Sequence, residues 1–334
     1  MKLSKKIFLC AAIFLAAHLQ VDAQVLTASS KDAEDKISEE SLLGDVAFLS
    51  GPFCKGRATG SGGGTAAAFY IADRFCEEGV IPFGENYFRN FKTNEAVGHN
   101  VLGMLKGNPY NGSDKFIIIA AHYDSLGELG GTTYPGADSN ASGVASMLGI
   151  ARMFSYMREG NRIYNQHIIF AALDGKQLSM AGAQALWDDI DAGRLISPVS
   201  GKPITRRNVT MFVNLDILGS TEAPIHKDRK DYLILLGAQQ EHSRLFRTTN
   251  DNYNIYLDLG YDYYGSKGFT DMFLRRVSDQ KVFLQHGIYS VMFTSGITLR
   301  TNREDDNIQS LDYGILKKRS WLVFHWIERV IQIL

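Results

Sequence analysis

The sequence predicts an α/β protein: a three-layer sandwich with a mixed, mostly parallel central sheet and helices on both faces. Apolar runs with the length of buried strands recur along the chain, and segments with helical periodicity fall between or after them. Strands that alternate with helices typically form a mostly parallel sheet, because each helix carries the chain back across it. We find no internal repeat, low-complexity tract or linker in the sequence, so we expect one continuous domain over residues 35–334.

The predicted elements follow from periodicity and turn residues. Apolar residues at helical spacing over 35–50 indicate an amphipathic helix, which Gly51 and Pro52 end. The glycine-rich residues 56–64 lack the G-x-x-x-x-G-K-[ST] pattern of a phosphate-binding loop, so we interpret them as a backbone turn that leads into a helix over 65–78. Further strands are expected at 99–106, 116–121, 167–173, 210–215, 232–236 and 289–293, and further helices at 144–157, 178–191, 241–250, 270–275, 280–286 and 312–332.

Residues 1–23 have the pattern of a secretory signal peptide. Three lysines precede an apolar core from Ile7 to Leu19, and Val21-Asp22-Ala23 resembles a small-residue cleavage site. The core is too short for a permanent membrane span. We therefore expect export, either to the periplasm or out of the cell, with no membrane anchor after processing. Residues 24–34 are mostly polar and are expected to be flexible.

Composition excludes some classes of partner. The chain is 45% hydrophobic and 21% charged, as ordinary soluble proteins are. Cleavage after residue 23 removes three lysines and one aspartate, which leaves 32 basic and 35 acidic residues and a formal charge of −3. This balance argues against nucleic acid or an anionic membrane as a partner. Cys54 and Cys76 remain after processing and form either one disulfide or two free thiols, and their spacing does not decide between these.

The candidate site centres on residues 115–143. The buried strand ends at His122-Tyr123-Asp124, and side chains two residues apart on a strand point to the same side, so His122 and Asp124 can act together. Asp138 follows a glycine-rich loop at the start of the next helix. Histidine nitrogen and aspartate oxygen bind zinc, and a nearby carboxylate fixes the tautomer of a ligand histidine. The alternative is that His122 is a satisfied core histidine and Asp138 a helix cap.

Two motifs in this stretch, HYDS at 122–125 and PGADSNASG at 135–143, resemble the signature of the zinc aminopeptidase family that also contains the glutaminyl cyclases, the twenty-eighth metallopeptidase family. The resemblance implies a zinc-exopeptidase-like fold in which His122 binds one zinc ion and Asp138 bridges two. Asp124 would support His122. The glycine-rich turn also has a counterpart in the family and would serve as scaffold.

The resemblance extends to the ends of three further strands, where most site positions differ. Asp216 matches a metal ligand in the N-x-D segment of the family. Two consecutive family glutamates, the general base and a ligand of the second zinc ion, are replaced by Lys176 and Gln177. Asn302 stands where the family supplies a final histidine ligand, and a family SDH segment reads Ser278-Asp279-Gln280 here.

These substitutions predict the loss of the two-zinc peptidase mechanism. A zinc-bound water needs a proton acceptor, and an ammonium group cannot accept a proton. We hypothesise that the Lys176 ammonium occupies the volume of the second zinc ion and pairs with Asp138, because neighbouring carboxylates favour its charged form. One zinc ion can remain at His122, Asp138 and Asp216, and a second is not expected.

We therefore interpret the sequence as an exported family member that binds a peptide or an amino-terminal group without cleaving it. Two alternatives remain: an active one-metal hydrolase with aminopeptidase-like substrates, and a structural or interaction module of an exported complex. Five tyrosines over 253–264 indicate either a substrate mouth or an aromatic-rich domain edge, and the absence of basic residues among them argues against nucleic-acid stacking.

Overall fold

The computed structural model describes residues 30–109, 114–222 and 229–334. The predicted signal peptide and residues 24–29 lie outside these ranges. The strands are β1 (Ile81–Pro82), β2 (Phe88–Lys92), β3 (Val97–Leu105), β4 (Phe116–His122), β5 (Gly127–Leu129), β6 (Thr132–Tyr134), β7 (His167–Leu173), β8 (Val209–Leu215), β9 (Tyr232–Leu236), β10 (Tyr256–Asp258) and β11 (Ser290–Thr294). In the described ranges, nine of them form one sheet in the order β1-β3-β7-β4-β8-β11-β9-β10 with β2 beside β3, and β5 and β6 form a separate pair.

The centre of the large sheet is parallel. β4 pairs in parallel with β7 on one side and with β8 on the other, and β8 pairs in parallel with β11. Towards the edges, β3 runs antiparallel to β7, and β9 runs antiparallel to β11. The carboxyl ends of β7, β4, β8 and β11 therefore meet at one edge of the sheet, which is where open α/β sheets bind ligands.

Helices cover both faces of the sheet. On β4, Ile117 and Ile119 pack with helices of one face, and Ile118 and Ala120 pack with helices of the other. This alternation follows from the two-residue period of a strand, and all four side chains are fully buried. The predicted three-layer α/β sandwich is thus confirmed. The helices are α1 (Glu39–Leu49), α2 (Gly62–Glu77), α3 (Ser142–Glu159), α4 (Ala181–Asp191), α5 (Gln240–Asn250), α6 (Lys267–Leu274), α7 (Gln280–Gln285) and α8 (Tyr313–Ile333).

The predicted core strands and helices are all present, with local corrections. The helix expected over 35–50 is a short 3₁₀ helix, Ala33–Lys36, followed by α1. The break occurs because the Ser38 side chain accepts a hydrogen bond from the Ser41 amide at 3.1 Å and caps α1. Sequence periodicity missed β1, β2, β5, β6 and β10, which have two to five residues each. Strands this short are defined by their pairing rather than by an apolar run.

The part of the predicted 24–34 segment that the structure describes, from residue 30 on, makes polar contacts with residues far along the chain. Glu34 is 3% exposed, and its Oε1 accepts a hydrogen bond from Tyr253 Oη at 2.5 Å and lies 3.0 Å from His325 Nε2. The other ring nitrogen of His325 lies 3.8 Å from Glu328 Oε2. We call Glu34, His325 and Glu328 the N-terminal ion cluster. Hydrophobic spacing cannot predict it, because polar contacts anchor the segment.

The charges in the N-terminal ion cluster stabilise one another. Burial lowers the pKa of His325, but its hydrogen bonds to Glu328 and Glu34 and the charges of both outweigh burial and raise it. Burial raises the pKa of each glutamate, but the hydrogen bond with His325 and nearby basic groups lower it overall. These pKa shifts favour the charged form of each of the three groups.

Arg57 is the scaffold residue of the glycine-rich turn. It is fully buried, and burial lowers its pKa to about 10, although the Cys54, Asp306 and Asp124 side chains act in the opposite direction. Its guanidinium binds the segment that leads from β4 towards Asp138, which confirms the predicted supporting role. The acceptors are the carbonyl oxygens of Leu49 (2.5 Å), Tyr123 (2.6 Å), Pro135 (2.7 Å) and Gly136 (2.8 Å).

Two open questions from the sequence concern the cysteines and membrane spans. Cys54 and Cys76 are free thiols, the first buried and the second exposed, so the disulfide alternative does not hold. Of the helices in the described part of the chain, none has both the length and the apolar character needed to cross a membrane.

Candidate functional site

The predicted site residues follow adjacent strands in the order of the sheet. His122 is the last residue of β4, Lys176 follows β7 on one side of it, and Asp216 follows β8 on the other. The register places His122 beside Leu173 of β7, and Ala120 beside Asn214 of β8. Three of the predicted site residues are therefore brought together at the carboxyl edge of the sheet.

His122 lies in the middle of this group and is fully buried. Its Nε2 lies 3.3 Å from Asp216 Oδ1, and its Nδ1 lies 3.1 Å from the backbone oxygen of Asp124 and 3.6 Å from Asp124 Oδ1. Burial lowers the pKa of His122, as does the charge of Lys176, but Asp216 and the hydrogen bonds to both aspartates raise it to about 9. His122 is thus an imidazolium held between two carboxylates.

Asp124 supports His122 as predicted and also fixes the loop after β7. Its two carboxylate oxygens accept hydrogen bonds from the backbone amides of Lys176 (3.0 Å) and Gln177 (2.9 Å). The Asp124 side chain is completely buried. It therefore sets the position from which the Lys176 side chain enters the site.

Lys176 pairs with Asp216, which corrects the hypothesis that it pairs with Asp138. Its Nζ lies 3.8 Å from Asp216 Oδ2, and its side chain is 18% exposed. Burial lowers the pKa of Lys176, but Asp216 and the charges of Asp279 and Asp124 raise it overall. Burial likewise raises the pKa of Asp216, but the charges of Lys176 and His122 outweigh burial. The pKa of Asp216 is therefore strongly lowered overall. The lysine is an ammonium at neutral pH.

Asp138 is bound by other groups of the site, which explains why Lys176 does not pair with it. Its Oδ1 accepts hydrogen bonds from the amides of Gly219 (2.7 Å) and Ser220 (3.1 Å) and from Ser142 Oγ (3.0 Å). Its own amide donates to Asp306 at 2.7 Å. Burial and the charge of Asp306 raise the pKa of Asp138 to about 7. Its Oδ2 is buried without a hydrogen-bond partner.

The two substituted ligand positions are placed differently. Gln177 is half-buried, its backbone amide donates to Asp124, and its buried side-chain Nε2 has no hydrogen-bond partner. Asn302 is exposed, in a turn after β11, with a φ of 61°. The contacts that join His122, Asp124 and Asp216 do not involve Asn302. The structure thus brings Gln177 to the site and leaves Asn302 at the surface.

Asp279 is a site residue that the sequence interpretation did not include. It is 0% exposed, and neither of its carboxylate oxygens has a hydrogen-bond partner. Burial raises its pKa to about 7, His122 and Lys176 act to lower it, and Asp124 and Asp216 act to raise it. The SDH-like segment contained the signal, since Asp279 is the aspartate of that segment.

The segment around Asp279 is fixed by its two neighbours. The Asn214 side chain donates to Ser278 Oγ at 2.9 Å and to Gln280 Oε1 at 2.8 Å. Gln280 Nε2 in turn donates to the carbonyl oxygen of Leu274 at 2.9 Å. Gln280 therefore joins the end of β8 to α6, and the carboxylate between Ser278 and Gln280 is kept in the site.

Two of the five tyrosines lie beside this group. Tyr264 has a buried hydroxyl without a hydrogen-bond partner, and the charge of Asp216 contributes to raising its pKa, after burial and the Tyr263 neighbour. Its ring lies 4.7 Å from that of Tyr263, and Tyr263 Oη donates to the carbonyl oxygen of Ile297 at 3.1 Å. Tyr253 instead donates a hydrogen bond to Glu34 of the N-terminal ion cluster. The stretch thus serves both the site rim and domain packing.

The donor set does not fit a zinc centre. The distance of 3.3 Å between His122 Nε2 and Asp216 Oδ1 equals about the edge of a tetrahedron around zinc, roughly 3.3 Å for bonds of about 2.0 to 2.1 Å. No third donor joins them, because within the described ranges no three His, Cys, Asp or Glu side chains converge in a way that could hold a metal ion. Lys176 lies against the second oxygen of Asp216 instead.

Comparison with known proteins decides the family. The model of peptidase family M28 matches residues 100–327, about two thirds of the chain. The chain belongs to peptidase family M28. The matched region includes every residue of the site described above.

The chain is also similar to two curated relatives and to one solved structure. Alkaline phosphatase isozyme conversion protein of Escherichia coli (strain K12) is 28% identical over 180 residues, which are 50% of this chain and 48% of that protein. BOS complex subunit ncln of Danio rerio is 32% identical over 108 residues, 32% of this chain and 18% of that protein. The chain therefore spans less than half the length of these relatives. The LapA aminopeptidase of Legionella pneumophila shares the fold, with a TM-score of 0.67 and 15% identity over 92% of this chain and 75% of LapA.

Proposed function

We propose that this chain is an exported, non-catalytic member of family M28 that binds the amino-terminal end of a peptide. The observation that carries the proposal is the state of the general-base position. Lys176 stands there as an ammonium bound to Asp216. An ammonium cannot take a proton from water, so the step that begins peptide hydrolysis in a metallopeptidase has no acceptor at this position.

The unpartnered polar atoms of the site favour the proposal that the ligand is a cation. Buried polar groups in proteins are almost always hydrogen-bonded, and each exception asks for an explanation. Asp279 has two unpartnered carboxylate oxygens beside Asp216, and the Tyr264 hydroxyl is also unpartnered. The ammonium group of a peptide amino terminus carries three donors and one positive charge. It would satisfy Asp279 and compensate the surplus of carboxylates.

The rim of the site next to these groups is apolar. We expect it to contact the side chain of the first residue of the bound peptide. Phe269 on α6 is 48% exposed, and Ile297 and Leu299 after β11 are 50% and 96% exposed. The Phe269 ring lies 6.2 Å from the ring of Tyr264. The side chain of an apolar first residue would pack against these exposed apolar side chains.

The experiment compares peptides that differ only at the amino terminus. A short peptide with an apolar first residue and a free amine should bind at least tenfold more tightly than its acetylated form, about 1.4 kcal/mol. Asp279→Asn should remove that preference, and Asp251→Asn, at an exposed position, should not. Equal binding of the free and acetylated peptides, measured by calorimetry, would disprove the proposal.

A second candidate is a subunit of an exported complex, supported by the name of the relative from Danio rerio, a BOS complex subunit. Co-purification of a partner by the processed chain, together with no peptide binding, would favour it. A third candidate is a one-metal hydrolase, supported by the zinc-like spacing of His122 and Asp216. Release of a chromophore from amino-acid anilides that is lost in His122→Ala would favour the hydrolase over both other candidates.

A further inference from the structure

The mismatch between the donor set and zinc has a specific structural cause. Two donors with zinc-like spacing are present, yet a cationic side chain occupies the space beside them. We propose that Lys176 is a resident cation that excludes divalent metal from the His122–Asp216 pair, and that removing its charge converts this pair into a zinc site. The proposal goes beyond the proposed function and does not depend on peptide binding.

Geometry places the lysine charge where it competes directly with a metal ion. Asp216 uses Oδ1 towards His122 at 3.3 Å and Oδ2 towards Lys176 at 3.8 Å. Both oxygens of the carboxylate are therefore next to positive groups. A zinc ion that bound Asp216 would have to share it with the ammonium at close range.

Burial prevents the lysine from moving aside without cost. The Lys176 side chain is 18% exposed, and its backbone amide is bound to the buried Asp124 carboxylate. The carboxylates of Asp216, Asp279 and Asp124 all stabilise its charge. The ammonium is thus held inside the site by several charges, unlike a surface lysine that can turn into solvent.

Once the ammonium is removed, the remaining groups suit a cation. His122 Nε2 and Asp216 Oδ1 already have the spacing of two zinc ligands. Asp279 is within electrostatic range of both and has two unpartnered oxygens. Asp279 would have to move towards the pair to become the third protein ligand, with water as the fourth, since zinc accepts three protein ligands and a solvent molecule.

The test measures zinc binding rather than activity. The processed wild-type chain, Lys176→Met and Lys176→Gln are stripped of metal and titrated with zinc against a competing chromogenic chelator. We expect both variants to bind one zinc ion per chain, with an affinity about 10- to 100-fold above that of the wild type, as for other residues that tune a metal site. Cobalt in place of zinc should give the absorption bands of a tetrahedral site only in the variants.

Three controls locate the effect. Lys176→Arg keeps the charge and should leave zinc affinity unchanged, and Lys202→Met removes a charge at an exposed position and should also leave it unchanged. His122→Ala combined with Lys176→Met should abolish the gain. Melting curves without zinc establish that each variant is folded.

Two results would overturn the proposal. One is a wild-type chain that retains a tightly bound zinc ion after purification. The other is a pair of folded variants, Lys176→Met and Lys176→Gln, with the same zinc affinity as the wild type. Neither result bears on whether a peptide amino terminus binds, which is measured separately on the wild type and Asp279→Asn.

Discussion

Replacing Arg57 by lysine should destabilise the chain strongly although the charge is kept. The guanidinium donates to four backbone carbonyls at 2.5 to 2.8 Å and is fully buried. A lysine ammonium is a single point with three donors and cannot reach four acceptors arranged around a planar fork. At least two bonds from a charged donor are lost, and each is worth about 1.5 to 3 kcal/mol.

The expected loss from Arg57→Lys is therefore about 3 to 6 kcal/mol, a large part of the roughly 5 to 15 kcal/mol by which proteins are stable. With a shift of about 2 to 4 °C per kcal/mol for a chain of this size class, the melting temperature should fall by about 10 °C. Calorimetry or urea denaturation measures this. Arg207→Lys, at an exposed position, is the matched control and should change stability by less than about 0.5 kcal/mol.

A loss below about 1 kcal/mol for Arg57→Lys would refute the reasoning, because it would mean that the four carbonyls find other partners. Hydrogen exchange gives a second readout. The segment between β4 and α3 should exchange faster in the variant, since the lost bonds end on that segment.

Two further predictions concern other parts of the fold. A Cβ at Gly63 would lie 1.9 Å from the Cys54 carbonyl oxygen, whereas one at the adjacent Gly62 would meet nothing within 4 Å. In urea denaturation, Gly63→Ala should cost about 1 to 3 kcal/mol or more and Gly62→Ala should gain about 0.5 to 1 kcal/mol, and equal effects would contradict the packing argument. In the N-terminal ion cluster, the pKa of His325 is raised above 6.5, so its stabilising contribution is complete below that pH and is lost as pH rises through the folded-state pKa. His325→Gln should therefore lower the melting temperature more at about pH 6 than at about pH 9, and an equal loss at both would count against the charged pairing.

The sequence predicted the core of the fold well because each core element is encoded locally. The buried strands β4 and β7 appear as unbroken apolar runs, and both are fully buried in the sheet. The short edge strands and the anchoring of Glu34 could not be predicted in this way. They depend on pairing and polar contacts with residues far along the chain, such as His325.

The site was predicted in part. His122, Asp124 and Asp216 lie together as expected, and Lys176 enters the same group. The partner of Lys176 was wrong, because the order of β7, β4 and β8 brings it to Asp216, while Asp138 is bound by the turn after β8. The importance of Asp279 was missed, because unpartnered burial is a property of the surroundings of a side chain and not of its neighbours in sequence.

By itself, the sequence determined which groups can reach the carboxyl edge of the sheet, since a strand end fixes the place of the residues that follow it. It also predicted a cation at the position that the resemblance assigns to the general base, because neighbouring carboxylates favour the charged form of Lys176. Tertiary structure alone decided which carboxylate receives that charge, which carboxylate is left without a partner and which substituted position faces solvent. Those outcomes depend on distances of a few ångströms between segments far apart in the chain, and electrostatic interactions are strong only over such distances in a buried site.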